Sequence, residues 1–195
     1  MGKRRLAKAP SAKEKRQAKS QWTTWALIGG TVVVIGVMIG LVVMQSGPKP
    51  TPGKAHVGNP APDFTLRLLN GQSVTLSSLK GQPVVLSFWA SDCPHCQREA
   101  PVVAKMYAKY RDKGLALLSI SVSWDTDSGA KKFVEEYRLP FPVGRDTDAV
   151  IGTLYGVDST PNTFFIAKDG KVVGRVDGEM EEAAFEQRIN SLLAS

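Results

Sequence analysis

At 195 residues the chain has room for one ordinary domain of about 100 to 150 residues with attachments, and not for two. Its formal charge of +7 is concentrated in residues 1–24, where eight Lys or Arg face only Glu14, while the remainder balances 17 basic against 17 acidic side chains. A neutral folded part excludes a nucleic-acid-binding domain, which needs its basic footprint on the fold. Two cysteines separated by two residues exclude a framework of structural disulfides, because so short a loop constrains almost nothing.

The basic stretch 1–24 (Lys3, Arg4, Arg5, Lys8, Lys13, Lys15, Arg16, Lys19) leads into 20 residues without a charge, Trp25 to Met44. A helix of that length, at about 1.5 Å per residue, matches the roughly 30 Å hydrocarbon core of a bilayer. The run exceeds the apolar region of an ordinary signal peptide, and no small-x-small cleavage site follows it. Residues 25–44 therefore read as an uncleaved transmembrane anchor. Basic residues before a span stay in the cytoplasm, and Trp22 and Trp25 suit the headgroup level. The expected topology is a single pass through the inner (cytoplasmic) membrane, with tail 1–24 cytoplasmic and all that follows the anchor periplasmic or otherwise extracytoplasmic. Residues 45–56, rich in Pro and Gly (Pro48, Pro50, Pro52, Gly53), read as a semi-rigid linker, with His56 a solvated linker histidine. The domain is expected over 57–195.

Phe64 to Leu69 and Ser73 to Leu76, joined across Asn70-Gly71, have the pattern of a hairpin. Val84 to Phe88 is a short apolar run suited to a buried parallel strand, and it leads directly to Cys93. Ala100, Val103, Met106, Tyr107 and Tyr110 recur at helical spacing up to a stop at Gly114. Leu115 to Val122 reads as another buried strand, and Ala130 to Tyr137 and Asp148 to Tyr155 as helices. Asn162 to Ala167 and Lys171 to Val176 flank Lys168-Asp169-Gly170 as a second hairpin, and Glu181 to Leu193 reads as a closing amphipathic helix. This order predicts an α/β fold, a central mixed sheet with helices on both faces.

Cys93-Pro94-His95-Cys96 stands between a buried strand and a helix. Unpaired N–H groups and the partial positive charge of a helix N-terminus favour a thiolate on the first cysteine. Cys93 is therefore the expected exposed nucleophile, and Cys96, one turn further in, the thiol that resolves a mixed disulfide. The pair with His95 falls short of the four ligands of a structural zinc, so no metal and no other cofactor is expected.

Five strings carry a resemblance: Ala61-Pro62-Asp63-Phe64-Thr65-Leu66, Leu79-Lys80-Gly81-Gln82-Pro83-Val84-Val85-Leu86, Phe88-Trp89-Ala90-Ser91-Asp92-Cys93, Tyr155-Gly156-Val157 and Thr160-Pro161-Asn162-Thr163-Phe164. Through them residues 57–195 resemble the thioredoxin superfamily, and within it the TlpA/ResA-type membrane-anchored thiol-disulfide oxidoreductases. The resemblance implies a thioredoxin-like fold and roles for several residues. Pro161 matches the family's cis-proline opposite the cysteines, and Thr160 would offer backbone groups to a substrate chain. Trp89 matches the tryptophan beneath the site and joins those two in the substrate-binding set. Glu99 matches a glutamate that handles protons near the buried thiol; on local pattern alone it would belong to a solvated helix face. The implied partners are disulfide-containing exported proteins, apocytochrome c being the family's best-known substrate, and a membrane electron donor of the CcdA/DsbD type.

Two departures from thioredoxins stand out. Ser87 occupies the position of their buried aspartate, six residues before the first cysteine, which leaves proton handling to Glu99 or water. Asp92 stands where the family usually has Trp, and a carboxylate there opposes ionisation of Cys93. Pro94-His95, by contrast, is the dipeptide of DsbA-like oxidases, where a histidine near the thiolate stabilises the reduced form and raises the potential. The expected function is reduction of disulfides in exported proteins. A DsbA-like oxidase or isomerase is the rival, though no helical insertion separates the cysteine helix from Pro161. A thiol peroxidase of the redoxin branch would want Thr where Ala90 stands. A copper-binding assembly factor would want one more residue between the cysteines and a later histidine.

Overall fold

The computed structural model describes residues 54–194. The expected basic tail, the anchor and most of the linker lie outside them; among the described residues no helix is long and apolar enough to cross a membrane. Ordered packing begins ahead of the expected residue 57. Ala55 is buried, and its N–H donates to the Leu154 carbonyl at 2.8 Å.

In chain order the elements are β1 (Thr65–Arg67), β2 (Ser73–Thr75), β3 (Val84–Trp89), α1 (Pro94–Tyr110), β4 (Ala116–Ser121), α2 (Asp127–Tyr137), β5 (Val143–Arg145), α3 (Val150–Tyr155), β6 (Asn162–Ile166), β7 (Val172–Asp177) and α4 (Glu182–Ala194). β1 and β2 form the first expected hairpin, with Leu66 opposite Val74 and Gly71 taking φ +86° in its turn. The other strands form one sheet in the order β5-β4-β3-β6-β7, parallel from β3 to β5 and antiparallel across β6 and β7.

β3 lies at the centre, which explains its unbroken apolar run: every residue is buried, because both faces are covered. The alternation of side chains across the sheet splits the core in two. Val85, Trp89, Leu117 and Phe165 face α1, α2 and α4; Leu86, Phe88, Ile120 and Phe164 face α3 and the hairpin of β1 and β2. Removing each such Leu or Phe side chain from water contributes roughly 1.5–3 kcal/mol.

β5 was not among the expected strands. Three residues after Pro140-Phe141-Pro142 carry no period, and they are extended only because Val143, Gly144 and Arg145 find partners along β4. Its outer edge is closed in turn: Leu68 bridges to Gly144, and the Leu69 N–H donates to the Val143 carbonyl at 2.9 Å. On the far edge, Val172 exchanges backbone bonds with Gly58 and Asn59. The β5 edge and the start of the β7 edge thus have their backbone groups paired within the chain, which withholds them from another strand.

Gly144 permits the first of these crossings. A Cβ there would stand 2.5 Å from the Arg67 carbonyl oxygen and 2.6 Å from Leu66, and neither rigid backbone nor a buried leucine can yield cheaply. Gly144→Ala is expected to destabilise the domain by about 1–3 kcal/mol, read as a lower denaturation midpoint at unchanged m-value. An unchanged midpoint would show that the crossing is not tight.

Candidate active site

Cys93 is the N-cap of α1, immediately beyond β3. Pro94 follows in the first helical turn, where a missing N–H costs nothing and a fixed φ suits the helix. The Cys96 N–H donates to Cys93 Sγ at 3.2 Å, so one of the unpaired amides of the helix end is aimed at the sulfur. The Cys93 thiol in turn donates to the Thr160 carbonyl at 3.4 Å, and the Thr160-Pro161 bond is cis. Both cysteines are free thiols, Cys93 partly exposed and Cys96 only 2 % exposed. Burial, and then the hydrogen bond with Cys93, push the Cys96 thiol up to about 12. The two thiols are therefore unlike: one is reachable and served by the helix end, the other held protonated beneath it.

Beneath Cys96 lies a cavity of about 10 Å³ lined by Ser87, Trp89, Cys96, Glu99, Ser119 and Phe133, among others. Glu99 lies on no solvated face; it is 2 % exposed. Its carboxylate accepts the Met180 N–H at 2.9 Å, yet burial outweighs that bond and pushes its pKa up to about 7. Ser87, in the place of the missing aspartate, pairs across the sheet with Ser119 on β4 and Thr163 on β6. The result is a row of buried hydroxyls across the sheet under the cysteine helix, with Glu99 the carboxyl lining the cavity above them.

Trp89 does not line a substrate surface. It is 3 % exposed, stacks on Phe133 with ring centroids 4.1 Å apart, and donates its indole N–H to Ser119 Oγ at 2.6 Å. A side chain so enclosed forms the floor of the site, which corrects its place in the expected binding set. Thr160, half-buried, and Pro161, buried, do border open space. With His95, Arg98, Gly178, Glu179 and Glu181 they line an open groove of about 570 Å³ beside the cysteines. Another cleft, about 190 Å³ between residues such as Leu76, Val84 and Ile166, lies at the opposite end of β3.

Several contributors escaped the sequence reading. Asp125, buried, accepts from the Ser91 N–H at 3.0 Å, from Ser91 Oγ at 2.6 Å and from Ser121 Oγ at 2.9 Å, and so holds the loop that delivers Cys93. Its only local signal was the cap beside it: Thr126 Oγ1 accepts the Gly129 N–H and starts α2. Glu179 reaches the site from the segment between β7 and α4, and no local pattern points to it. His95, expected near the thiolate, instead directs Nδ1 at Glu179 Oε2 (3.0 Å) and Arg98 Nη2 (2.7 Å).

Comparison with known proteins agrees with this geometry. The AhpC/TSA family model matches residues 57–175. The thiol-disulfide oxidoreductase ResA of Bacillus thuringiensis subsp. konkukian is 32 % identical over 163 residues, covering 83 % of this chain and 94 % of that protein. ResA of Bacillus anthracis is 40 % identical over 134 residues, 68 % of this chain and 76 % of that one. Among solved structures, a putative thiol:disulfide interchange protein DsbE from Chlorobium tepidum superposes with a TM-score of 0.67 at 34 % identity, covering 72 % of this chain and 99 % of that chain. An exposed thiol on a helix cap, a buried thiol behind it and a cis-proline facing both, on a fold these relatives share, place the chain in the AhpC/TSA family as a thioredoxin-like thiol-disulfide oxidoreductase.

Proposed function

We propose that this enzyme reduces disulfides of exported proteins, apocytochrome c among them, on the extracytoplasmic side of a membrane to which residues 25–44 tether it. The single observation that carries the chemistry is the asymmetry of the thiols, one partly exposed and bonded to the Thr160 carbonyl at the edge of an open groove, the other buried beside Glu99. The compartment rests on the uncharged run after a basic tail, and the exported substrates follow from the compartment.

In this reading a substrate chain lies along the groove against the backbone of Thr160 and Pro161. The Cys93 thiolate attacks one sulfur of its disulfide; a Cys93–substrate disulfide forms and the first substrate thiolate leaves. Cys96 then gives up its proton to Glu99, the carboxyl lining the same cavity, and attacks Cys93 Sγ. A Cys93–Cys96 disulfide forms, the second substrate thiolate leaves, and two electrons have passed from enzyme to substrate. A membrane donor of the CcdA/DsbD type restores the dithiol.

The test is the reduction potential of the Cys93/Cys96 couple, equilibrated against glutathione or dithiothreitol. A value near about −270 mV, that of thioredoxin, is expected of a reductase. A value near about −120 mV, that of DsbA, would overturn the direction and make the protein an oxidase or isomerase of the kind the Pro94-His95 dipeptide suggests.

A further inference from the structure

We propose that Glu179 is a positioning residue that keeps the Cys93/Cys96 couple reducing, by gathering His95 and Arg98, the basic side chains of the first turns of α1, into a neutralising cluster beside the nucleophile. The inference rests on reading Cys93 and Cys96 as the redox couple.

His95 and Arg98 are three residues apart on α1, hence on one face, two and five residues beyond the cap formed by Cys93. Glu179 meets them from the segment between β7 and α4. Its carboxylate accepts from Arg98 Nε at 3.1 Å on both oxygens and from Arg98 Nη2 at 2.7 Å, a forked arrangement of the kind that makes guanidinium–carboxylate pairs specific. The same Oε2 stands 3.0 Å from His95 Nδ1. The Glu179 carboxyl is accordingly held below the usual carboxylate range, first by Arg98 and then by His95.

The segment that carries Glu179 is tied down on either side. The Gly178 N–H donates to the Pro161 carbonyl at 2.8 Å, and the Met180 N–H donates to Glu99 at 2.9 Å. Glu179 is thus suspended between the loop that faces the cysteines and the carboxylate beneath them. Its reach to α1 is dictated by the active site itself.

His95 Nδ1 lies between a carboxylate and a guanidinium. With a proton it donates to Glu179; without one it accepts from Arg98, 2.7 Å away. The cluster holds the ring in either form, and in neither does it present an uncompensated imidazolium to Cys93. Arg98 also senses the nucleophile: its guanidinium is stabilised chiefly by the Glu179 hydrogen bond and to a smaller degree by the charge of Cys93. The attraction is mutual, so a freed Arg98 would stabilise the thiolate. Removing the negative charge of Glu179 therefore leaves the positive field of α1 acting on Cys93. The reduced form gains stability and the couple becomes more oxidising. Asp92 next to Cys93, Glu181 in the groove and Glu99 below are unchanged by the substitution and offset the effect only in part.

The experiment compares Glu179→Gln with the parent protein in glutathione equilibrium and in the alkylation rate of Cys93 at pH 7. The expected result is an equilibrium constant shifted about tenfold toward the dithiol, which for this two-electron couple is about 30 mV upward, and faster alkylation. Both shifts should shrink in concentrated salt, as an electrostatic effect between exposed groups must and a structural one need not. Glu179→Asp should stay close to the parent. In a His95→Ala, Arg98→Gln background the Glu179→Gln shift should vanish, because the residue acts through those two partners. A folded Glu179→Gln protein with the parent's potential overturns the proposal, and so does a full shift in the doubly substituted background. If the parent itself fails to equilibrate with glutathione as a two-electron couple, the redox reading fails, and that result is distinct from either.

Discussion

Cys96→Ser will turn the enzyme into a trap. Cys93 remains partly exposed at the cap of α1, with the helix end still aimed at its sulfur, so attack on a substrate disulfide proceeds. Serine has no thiol to resolve the product, and the Cys93–substrate mixed disulfide accumulates as one covalent equivalent per enzyme. Steady-state reduction of a model disulfide should fall by about three orders of magnitude or more, the scale on which removal of one member of a catalytic unit acts. Cys93→Ser should be equally inactive and trap nothing, because Cys96 is 2 % exposed and held protonated up to about pH 12. The measurement is non-reducing electrophoresis or intact mass after incubation with a disulfide-bonded protein. A trapped adduct in the Cys93→Ser variant instead would reverse the two roles.

Glu99 gives the second large expectation, in stability and in rate together. Its ordinary carboxyl value of 4.5 rises to about 7 in the folded state, because burial disfavours the charge more than the Met180 N–H favours it. A raised carboxyl means that the native state binds more protons than the unfolded chain between those two values. This contribution to stability is whole below pH 4.5 and is lost as pH rises through about 7, up to about 3 kcal/mol in all. Glu99→Gln keeps an oxygen for the Met180 N–H and cannot ionise. The variant should therefore lack that slope and exceed the parent in stability at about pH 8, measured by urea denaturation across pH. The same substitution removes the proposed proton acceptor in the cavity of Cys96, so resolution of a preformed mixed disulfide should slow by about a hundredfold and lose its inflection near pH 7. Coincident stability curves for the two proteins would show that the carboxyl is not held neutral, and the proton role would fall with it.

The two expectations differ in how far local sequence carried them. Cys93 and Cys96 stand at the end of an apolar run and the start of a helical period, two local patterns that place a thiol on a helix cap before any contact is known. Pro161 was found through its neighbours Thr160 and Asn162, by resemblance. For Glu99 the local pattern favoured a solvated face. It is buried because the segment around Met180, 81 residues away, closes over it. Trp89, placed by resemblance beneath the site, lies there, but it was also counted in the substrate-binding set, and its stacking on Phe133 of α2 encloses it too fully for that.

Sequence by itself determined the hairpins, the central strand β3, the cysteine helix and the closing helix, because hydrophobic period, Asn70-Gly71 and a glycine stop act within a few residues. It placed Cys93 at a helix cap and Cys96 one turn further in for the same reason. Tertiary structure alone decided that Val143–Arg145 is a strand, since its extension comes from pairing with β4 rather than from propensity. It alone decided that Asp125 holds Ser91, 34 residues away, and that Glu179 gathers His95 and Arg98 across 84 and 81 residues. A hydrogen bond between distant segments leaves no period in either of them; it exists only once the sheet has brought the chain back past its own active site.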